Sequence, residues 1–151
     1  MHEVTPVITV TTADRERVRE LLLREHARRS GAALHNAARM LEQALEEALI
    51  VTPTEVSRRT ATLNSRVMFS YSQPYPGRPA DKMYVSTVTL VQPQDADPML
   101  GRESVLSPIG SALFGLSEGD SLDWPNASGE TARYTLLRVI SQPEADGRFD
   151  L

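Results

Sequence analysis

From Leu34 to Leu49 the apolar residues Leu34, Ala37, Ala38, Leu41, Leu45, Ala48 and Leu49 recur at spacings of three and four. An α-helix gathers such a series on one side, because 3.6 residues complete a turn. Glu42, Glu46 and Glu47 fall off the stripe, so the segment reads as an amphipathic helix of roughly five turns. A weaker helix precedes it, over about residues 13–28. Thr11 and Thr12 offer hydroxyl caps and Asp14 an acid for the positive helix end; Val18, Leu21, Leu22 and, at its margin, Leu23 make a short stripe. Arg28-Arg29-Ser30-Gly31 interrupts the pattern, with Gly31 as a C-terminal stop. So short a connection turns the chain back on itself. Residues 13–50 are therefore expected to form an antiparallel helical hairpin, its arms spanning roughly 22 to 28 Å. Ahead of it, Val7-Ile8-Thr9-Val10 is a β-branched run and a strand candidate.

After Thr52-Pro53 and a polar connector to Thr62, the helical period gives way to strands and turns. Strands are expected at residues 66–71, 83–91, 103–106, 121–124 and 132–140. Three prolines between Gln73 and Pro79 make a stiff, extended loop. Ser107-Pro108 followed by Gly115 frames one short helix, and residues 126–129 read as a hairpin turn. The fold class is α+β: a helical hairpin (residues 1–53) followed by an antiparallel β-sheet domain with one short helix (residues 54–151).

Composition removes several kinds of chemistry. There is no cysteine, which excludes disulfides, a thiolate nucleophile and cysteine-based metal centres. The three histidines, His2, His26 and His35, form no ligand pattern, so no metal or cofactor is expected. The formal charge of −4 argues against wholesale coating of nucleic acid and leaves room for a local basic patch. That charge comes entirely from residues 60–151, since residues 1–59 carry nine basic and nine acidic side chains. No apolar run approaches the roughly 20 residues of a membrane helix, and no leader pattern is seen, so a cytoplasmic protein without membrane contact is expected. Asn126-Ala127-Ser128 matches a glycosylation pattern by spacing alone.

The block from Ser104 to Asp120, reading Ser-Val-Leu-Ser-Pro-Ile-Gly-Ser-Ala-Leu-Phe-Gly-Leu-Ser-Glu-Gly-Asp, combines a cap, a helix, a turn and a strand in fixed register. It resembles the C-terminal signature of the Gre transcript-cleavage factors and their relatives, as does Thr62-Leu63-Asn64-Ser65-Arg66-Val67. Gln142-Pro143-Glu144-Ala145 and the pattern from Ile8 to Leu22 resemble a branch of that family named for regulating nucleoside diphosphate kinase. The resemblance covers nearly the whole chain. It implies an N-terminal antiparallel coiled coil and an FKBP-like C-terminal domain. The latter docks on RNA polymerase beside its secondary channel, and the coiled coil points inward. Gre factors carry two acids at the coiled-coil tip, which help hold the polymerase's second catalytic Mg²⁺ and position a water that cuts the transcript; hard Mg²⁺ takes oxygen ligands.

Here the tip reads Arg28-Arg29-Ser30-Gly31-Ala32, with Glu25 the nearest acid about one turn back, and the hairpin is much shorter than in Gre factors. The resemblance therefore implies a non-enzymatic regulator of transcription elongation that binds RNA polymerase and competes with Gre factors without stimulating cleavage. Ser107 and Pro108 are the candidate polymerase-contact residues, although they also make a sufficient helix start alone. Some family members have an Asp directly before them; here that position is Leu106. Arg28 and Arg29 are by default a solvated, dipole-compatible helix end, and are also the candidate tip contacts, reaching nucleic acid only within the polymerase complex. Gly119-Asp120 is read as a turn, Trp124 as packing, and His26 and His35 as surface or hairpin-rim residues. Two other functions compete. Prolyl isomerisation follows from the implied fold alone, and the eight aromatic residues are scattered along the chain. Direct control of nucleoside diphosphate kinase would be protein binding, since the chain has no P-loop or nucleotide fingerprint.

Overall fold

The computed structural model describes residues 6–28, 32–72 and 83–150, with the side chains of 26–28 and 32–35 excepted. Strand β1 (Thr9–Thr11) leads directly into helix α1 (Thr12–Arg28), and helix α2 (Ala32–Glu46) leads into strand β2 (Leu49–Val51). The start of α1 is set by chemistry legible in the sequence: Thr11 Oγ1 accepts the backbone N–H of Asp14 at 3.0 Å. The end of α2 is not where periodicity puts it. The helix stops at Glu46, and Leu49-Ile50-Val51 pairs in parallel with β1, Thr9 opposite Leu49. The β-branched pair Ile50-Val51 suits an extended backbone, and the Leu49 N–H donates to the Ile8 carbonyl at 2.9 Å. Leu49 itself is exposed, so the last apolar residue of the stripe does not belong to the helix face.

On α1, Val18, Leu21 and Leu22 are buried while Leu23 is exposed. On α2, Ala37, Ala38, Leu41 and Leu45 are buried. Arg15, Arg19 and Leu22 of α1 face Glu42, Leu45 and Glu46 of α2 across a groove of about 200 Å³, with opposite charges at its rim. The α2 face does more than pack on α1. It also meets helix α3 (Pro108–Leu113) and strand β6 (Ser121–Pro125), and its small Ala37 and Ala38 permit a close approach.

Strands β3 (Arg66–Ser72), β4 (Met83–Val91), β5 (Arg102–Ser104), β6 and β7 (Thr131–Ser141) form one sheet in the order β5-β4-β3-β7-β6. The expected all-antiparallel sheet is corrected in one place: β4 and β5 run parallel, Thr89 opposite Arg102 and Val91 opposite Ser104. Residues 92–101 provide the length for this crossover, winding through 3-10 turns at Pro93–Asp95 and Pro98–Leu100. The strand expected at 103–106 correspondingly starts one residue earlier and ends at Ser104. Register shifts along β3 and β7 leave bulges near Val67 and Met68. The turn at 126–129 is as expected. Asn126 is buried there, its Oδ1 accepting the N–H groups of Ser128 and Glu130, which is the conformational use of that residue.

The inner sheet face carries Val67, Phe69, Leu122, Trp124, Ala132, Tyr134 and Leu136. They share one buried cluster with Val10, Val18, Leu22, Leu41 and Leu45, so apolar residues from both halves of the chain lie together. The aromatics are less scattered than their sequence positions suggest. Phe69 and Tyr71 stand 5.7 Å apart, Tyr71 and Tyr84 stack at 5.4 Å, and Phe69 and Tyr134 lie 6.5 Å apart. Phe69 and Tyr134 are fully buried, which makes this group core packing.

Candidate functional site

The resemblance-bearing block is first a folding device. Ser107 caps α3, its Oγ accepting the Gly110 N–H at 3.0 Å, with Pro108 at the first helical position. Gly110 is required by proximity: a Cβ there would run into the Ser104 carbonyl, so α3 lies directly on the end of β5. Gly115 follows α3 with φ +83°, and an added Cβ would stand 2.7 Å from the Ile8 side chain. Its carbonyl accepts the Thr9 N–H at 3.0 Å, which ties α3 to β1. Ser111 donates to the Pro108 carbonyl at 3.2 Å and accepts the indole N–H of buried Trp124 at 3.0 Å. Asp120 Oδ2 accepts the Ser117 N–H, closing a turn with Gly119 at φ +92°, as the turn reading expects.

The second resemblance-bearing motif, Thr62 to Val67, is a locked turn. Thr62 Oγ1 and Ser65 Oγ lie 2.8 Å apart, and Asn64 takes a left-handed φ of +70°. Asp14 of α1 accepts the Leu63 N–H at 3.0 Å, and the Asn64 N–H donates to the Leu90 carbonyl at 2.6 Å. Burial pushes the Asp14 carboxyl up to about 6; the Leu63 hydrogen bond opposes the shift, nearby Glu144 adds to it, and Arg17 at 3.9 Å opposes it. The third motif clamps the same region. Buried Gln142 donates from Nε2 to the carbonyls of Ser57 and Thr60, both at 2.8 Å, and Glu144 accepts from Thr62 Oγ1 at 2.8 Å.

Ser107 also lines an open cleft of about 560 Å³. One wall is Leu21, Arg24 and Glu25 of α1; the other is Pro93, Gln94, Ser104, Leu106 and Ser107. Leu106, where some relatives have an acid, is buried and forms an apolar floor. Hydroxyls and an amide surround that floor, with a guanidinium and a carboxylate opposite. Both serine hydroxyls of this cleft accept backbone N–H groups, Ser104 Oγ from Leu106 at 3.1 Å and Ser107 Oγ from Gly110. Pro108 adjoins the cleft as the residue that starts α3. Arg28 ends α1 three residues beyond Glu25, about 4.5 Å further along the helix axis. The side chain of Arg28, and all of Arg29, lie outside the described residues, as do the side chains of His26 and His35. The structure thus puts Ser107 beside the half of α1 that leads to Arg28, a proximity that spacing along the chain gives no sign of. Arg24 and Glu25 were missed because they lie off the apolar stripe, and Pro93 and Gln94 because only the β4–β5 crossover brings them there. Among the described residues, no group of three His, Asp or Glu side chains could hold a metal, and no helix is long and apolar enough to cross a membrane.

Comparison with known proteins places these features. The family described as "Transcription elongation factor, GreA/GreB, C-term" matches residues 79–141. The "Regulator of nucleoside diphosphate kinase" of Escherichia coli K12 is 32% identical over 144 residues, 95% of this chain and 96% of the relative. "Transcription elongation factor GreA" of Chlorobium phaeobacteroides is 32% identical over 114 residues, 76% of this chain and 67% of the relative. The solved structure of a prokaryotic transcription elongation factor GreA/GreB from Nitrosomonas europaea is similar at 31% identity and TM-score 0.61, over 91% of this chain and all of that one. The relatives are by name a regulator and elongation factors rather than catalysts. With nearly full-length identity of this order, the chain belongs to the GreA/GreB family of transcription elongation factors, on the branch of the regulator of nucleoside diphosphate kinase.

Proposed function

We propose that this protein is a cytoplasmic regulator of transcription elongation that binds RNA polymerase near the secondary channel and competes there with Gre factors without stimulating transcript cleavage. Residues 54–151 act as the docking unit, with Ser107 and Pro108 in the contact surface. Residues 1–53 act as a short, coiled-coil-like hairpin directed into the channel, with Arg28 and Arg29 at its end. The observation that carries the reading is the junction of α1 and α2. Arg28-Arg29-Ser30-Gly31-Ala32 has arginines where the cleavage factors it resembles have two acids. A guanidinium cannot ligate Mg²⁺, so this end cannot complete a metal site inside the polymerase. Length points the same way. The 17 residues of α1 span about 25 Å and the 15 of α2 about 22 Å.

An effect on nucleoside diphosphate kinase is read as indirect, through transcription; capture of the kinase by the pure protein would replace that part of the reading. The direct test is co-migration with core RNA polymerase, followed by titration with a Gre factor. A complex at micromolar concentration that the Gre factor displaces is expected. No complex at that concentration overturns the proposal.

A further inference from the structure

The outer face of the five-stranded sheet concentrates positive charge within an acidic stretch of chain. Residues 60–151 hold seven Lys and Arg against eleven Asp and Glu. Four of those seven, Arg66, Arg102, Arg133 and Arg138, stand at outward-facing strand positions, and all four are exposed. Parity fixes this: Val67, Phe69 and Tyr134 point into the core, so their sequence neighbours Arg66, Met68 and Arg133 point out. Asp123 is the one carboxylate at the outward strand positions, and it pairs with Arg133 at 3.3 Å.

The other three guanidiniums are neighbours. Arg102 lies opposite Thr89 and Thr89 opposite Arg66, which puts both arginines in one row across three strands. Arg138 lies opposite Met68, two residues along β3 from Arg66. At the usual strand spacing and rise, adjacent members of this group stand roughly 8–10 Å apart. Among the described residues Arg66, Arg102 and Arg138 make no ion pair.

Apolar groups are interleaved with them. Met68 sits between Arg66 and Arg138, Val85 is exposed on the same face, and Met99 and Leu100, 93% and 62% exposed, are separated from Arg102 only by Gly101. Arginine and methionine mixed with aliphatic groups are characteristic of protein interfaces. A surface built to hold single-stranded nucleic acid adds aromatic platforms for bases, and the described outward strand positions have none. The patch is also continuous with the cleft: β5 begins at Arg102 and ends at Ser104 in the cleft wall, on the same side of the strand.

We propose that this arginine face and its Met99-Leu100 corner form a second docking surface, taking an acidic protein segment that carries apolar side chains. Resting on the polymerase reading above, we assign that segment to RNA polymerase. Carboxylates of the partner pair with Arg66, Arg102 and Arg138, and its apolar groups cover Met68, Met99 and Leu100, excluding water and strengthening those pairs.

The test measures binding of the labelled full-length protein to core RNA polymerase at low and physiological salt. The variants are Arg66→Glu/Arg102→Glu/Arg138→Glu and, separately, Met99→Ser/Leu100→Ser, with a DNA duplex and a single strand as further probes. All five positions are solvent-facing, and thermal melting verifies that the variants stay folded. The charge reversal is expected to weaken polymerase binding at least about tenfold and to flatten its salt dependence. The serine pair is expected to weaken it severalfold. Wild-type binding to polymerase with undiminished binding by the charge reversal overturns this surface and leaves the polymerase reading intact. Failure of the wild type to bind polymerase defeats that reading and this one with it. Loss of DNA binding that matches or exceeds the loss of polymerase binding makes the partner nucleic acid and overturns the assignment to a protein.

Discussion

Replacing Asp14 by Asn tests whether a buried charge lies at the junction of α1 and the Thr62–Ser65 turn. Asp14 is 2% exposed, and its Oδ2 accepts the Leu63 N–H. Its carboxyl is raised from 3.8 to about 6. A raised carboxyl has the opposite sign from the usual surface ion pair. Between these values the folded state holds the proton more tightly than the unfolded chain. The stabilisation is therefore complete at low pH and is lost as pH rises through about 6. A shift of about two units at 1.36 kcal/mol each makes the full swing about 3 kcal/mol. Asn keeps an oxygen for Leu63 and cannot ionise. Urea denaturation of both proteins at matched pH, from 4.5 to 8, cancels the other titrating groups. The Asp14→Asn variant should be the more stable protein at pH 7.5, by up to about 3 kcal/mol, and the gap should narrow to about 1 kcal/mol at pH 4.5. Such a gap corresponds to roughly 6–12 °C in melting temperature for a domain of this size. An Asp14→Ala control removes the charge and the acceptor together. It leaves the Leu63 N–H buried and unpaired, at a cost of about 1–3 kcal/mol, so it should fall below the Asp14→Asn variant at every pH. A gap between the wild type and the Asp14→Asn variant that is flat with pH, or that widens on acidification, refutes the reasoning.

Three other outcomes follow from the geometry. Gly110→Ala must push α3 off the Ser104 carbonyl and should cost about 3 kcal/mol in urea denaturation, against a gain of about 0.5–1 kcal/mol for the same change at an exposed helical glycine. Ser111→Ala strips the hydrogen-bond partner from Trp124, the one tryptophan, so a loss of about 1–3 kcal/mol should coincide with a shifted emission maximum; unchanged emission would place the indole N–H elsewhere. A carboxylate pair introduced as Arg28→Asp/Arg29→Asp should confer no transcript cleavage if reach limits the hairpin, and cleavage by that variant would assign the limit to tip chemistry alone.

The parts of this protein that the sequence reveals are those set by local chemistry. Thr11 and Ser107 cap the helices they precede, Pro108 starts α3, and strands β3, β4, β6 and β7 fall within a residue or so of their alternating patterns. The misreadings share a cause, which is pairing with a distant segment. Ala48 and Leu49 continue a helical period, yet Leu49 leaves the helix because β1 offers its backbone a partner forty residues away. The parallel placement of β5 depends on how residues 92–101 wind, and no periodicity encodes that path. The aromatics look dispersed because β7 is far from β3 in sequence and adjacent to it in the sheet. For the site, Ser107 was visible as a cap and as part of a resemblance. Its neighbours Arg24, Glu25, Pro93 and Gln94 were not, since each occupies an unremarkable position in its own element. The outward arginines were hidden by the net charge of −4, which averages over faces that strand parity keeps apart.

The central claim, a polymerase-binding family member that does not cut RNA, is tested most directly on a backtracked elongation complex with a labelled transcript. Purified protein is added alone, and then before a cleavage-competent Gre factor. The account predicts an intact transcript with the protein alone, and a rate of Gre-stimulated cleavage that falls as its concentration rises. Shortened transcripts with the protein alone would contradict the non-cleaving assignment. Gre-stimulated cleavage that is indifferent to saturating protein would contradict competition for the channel.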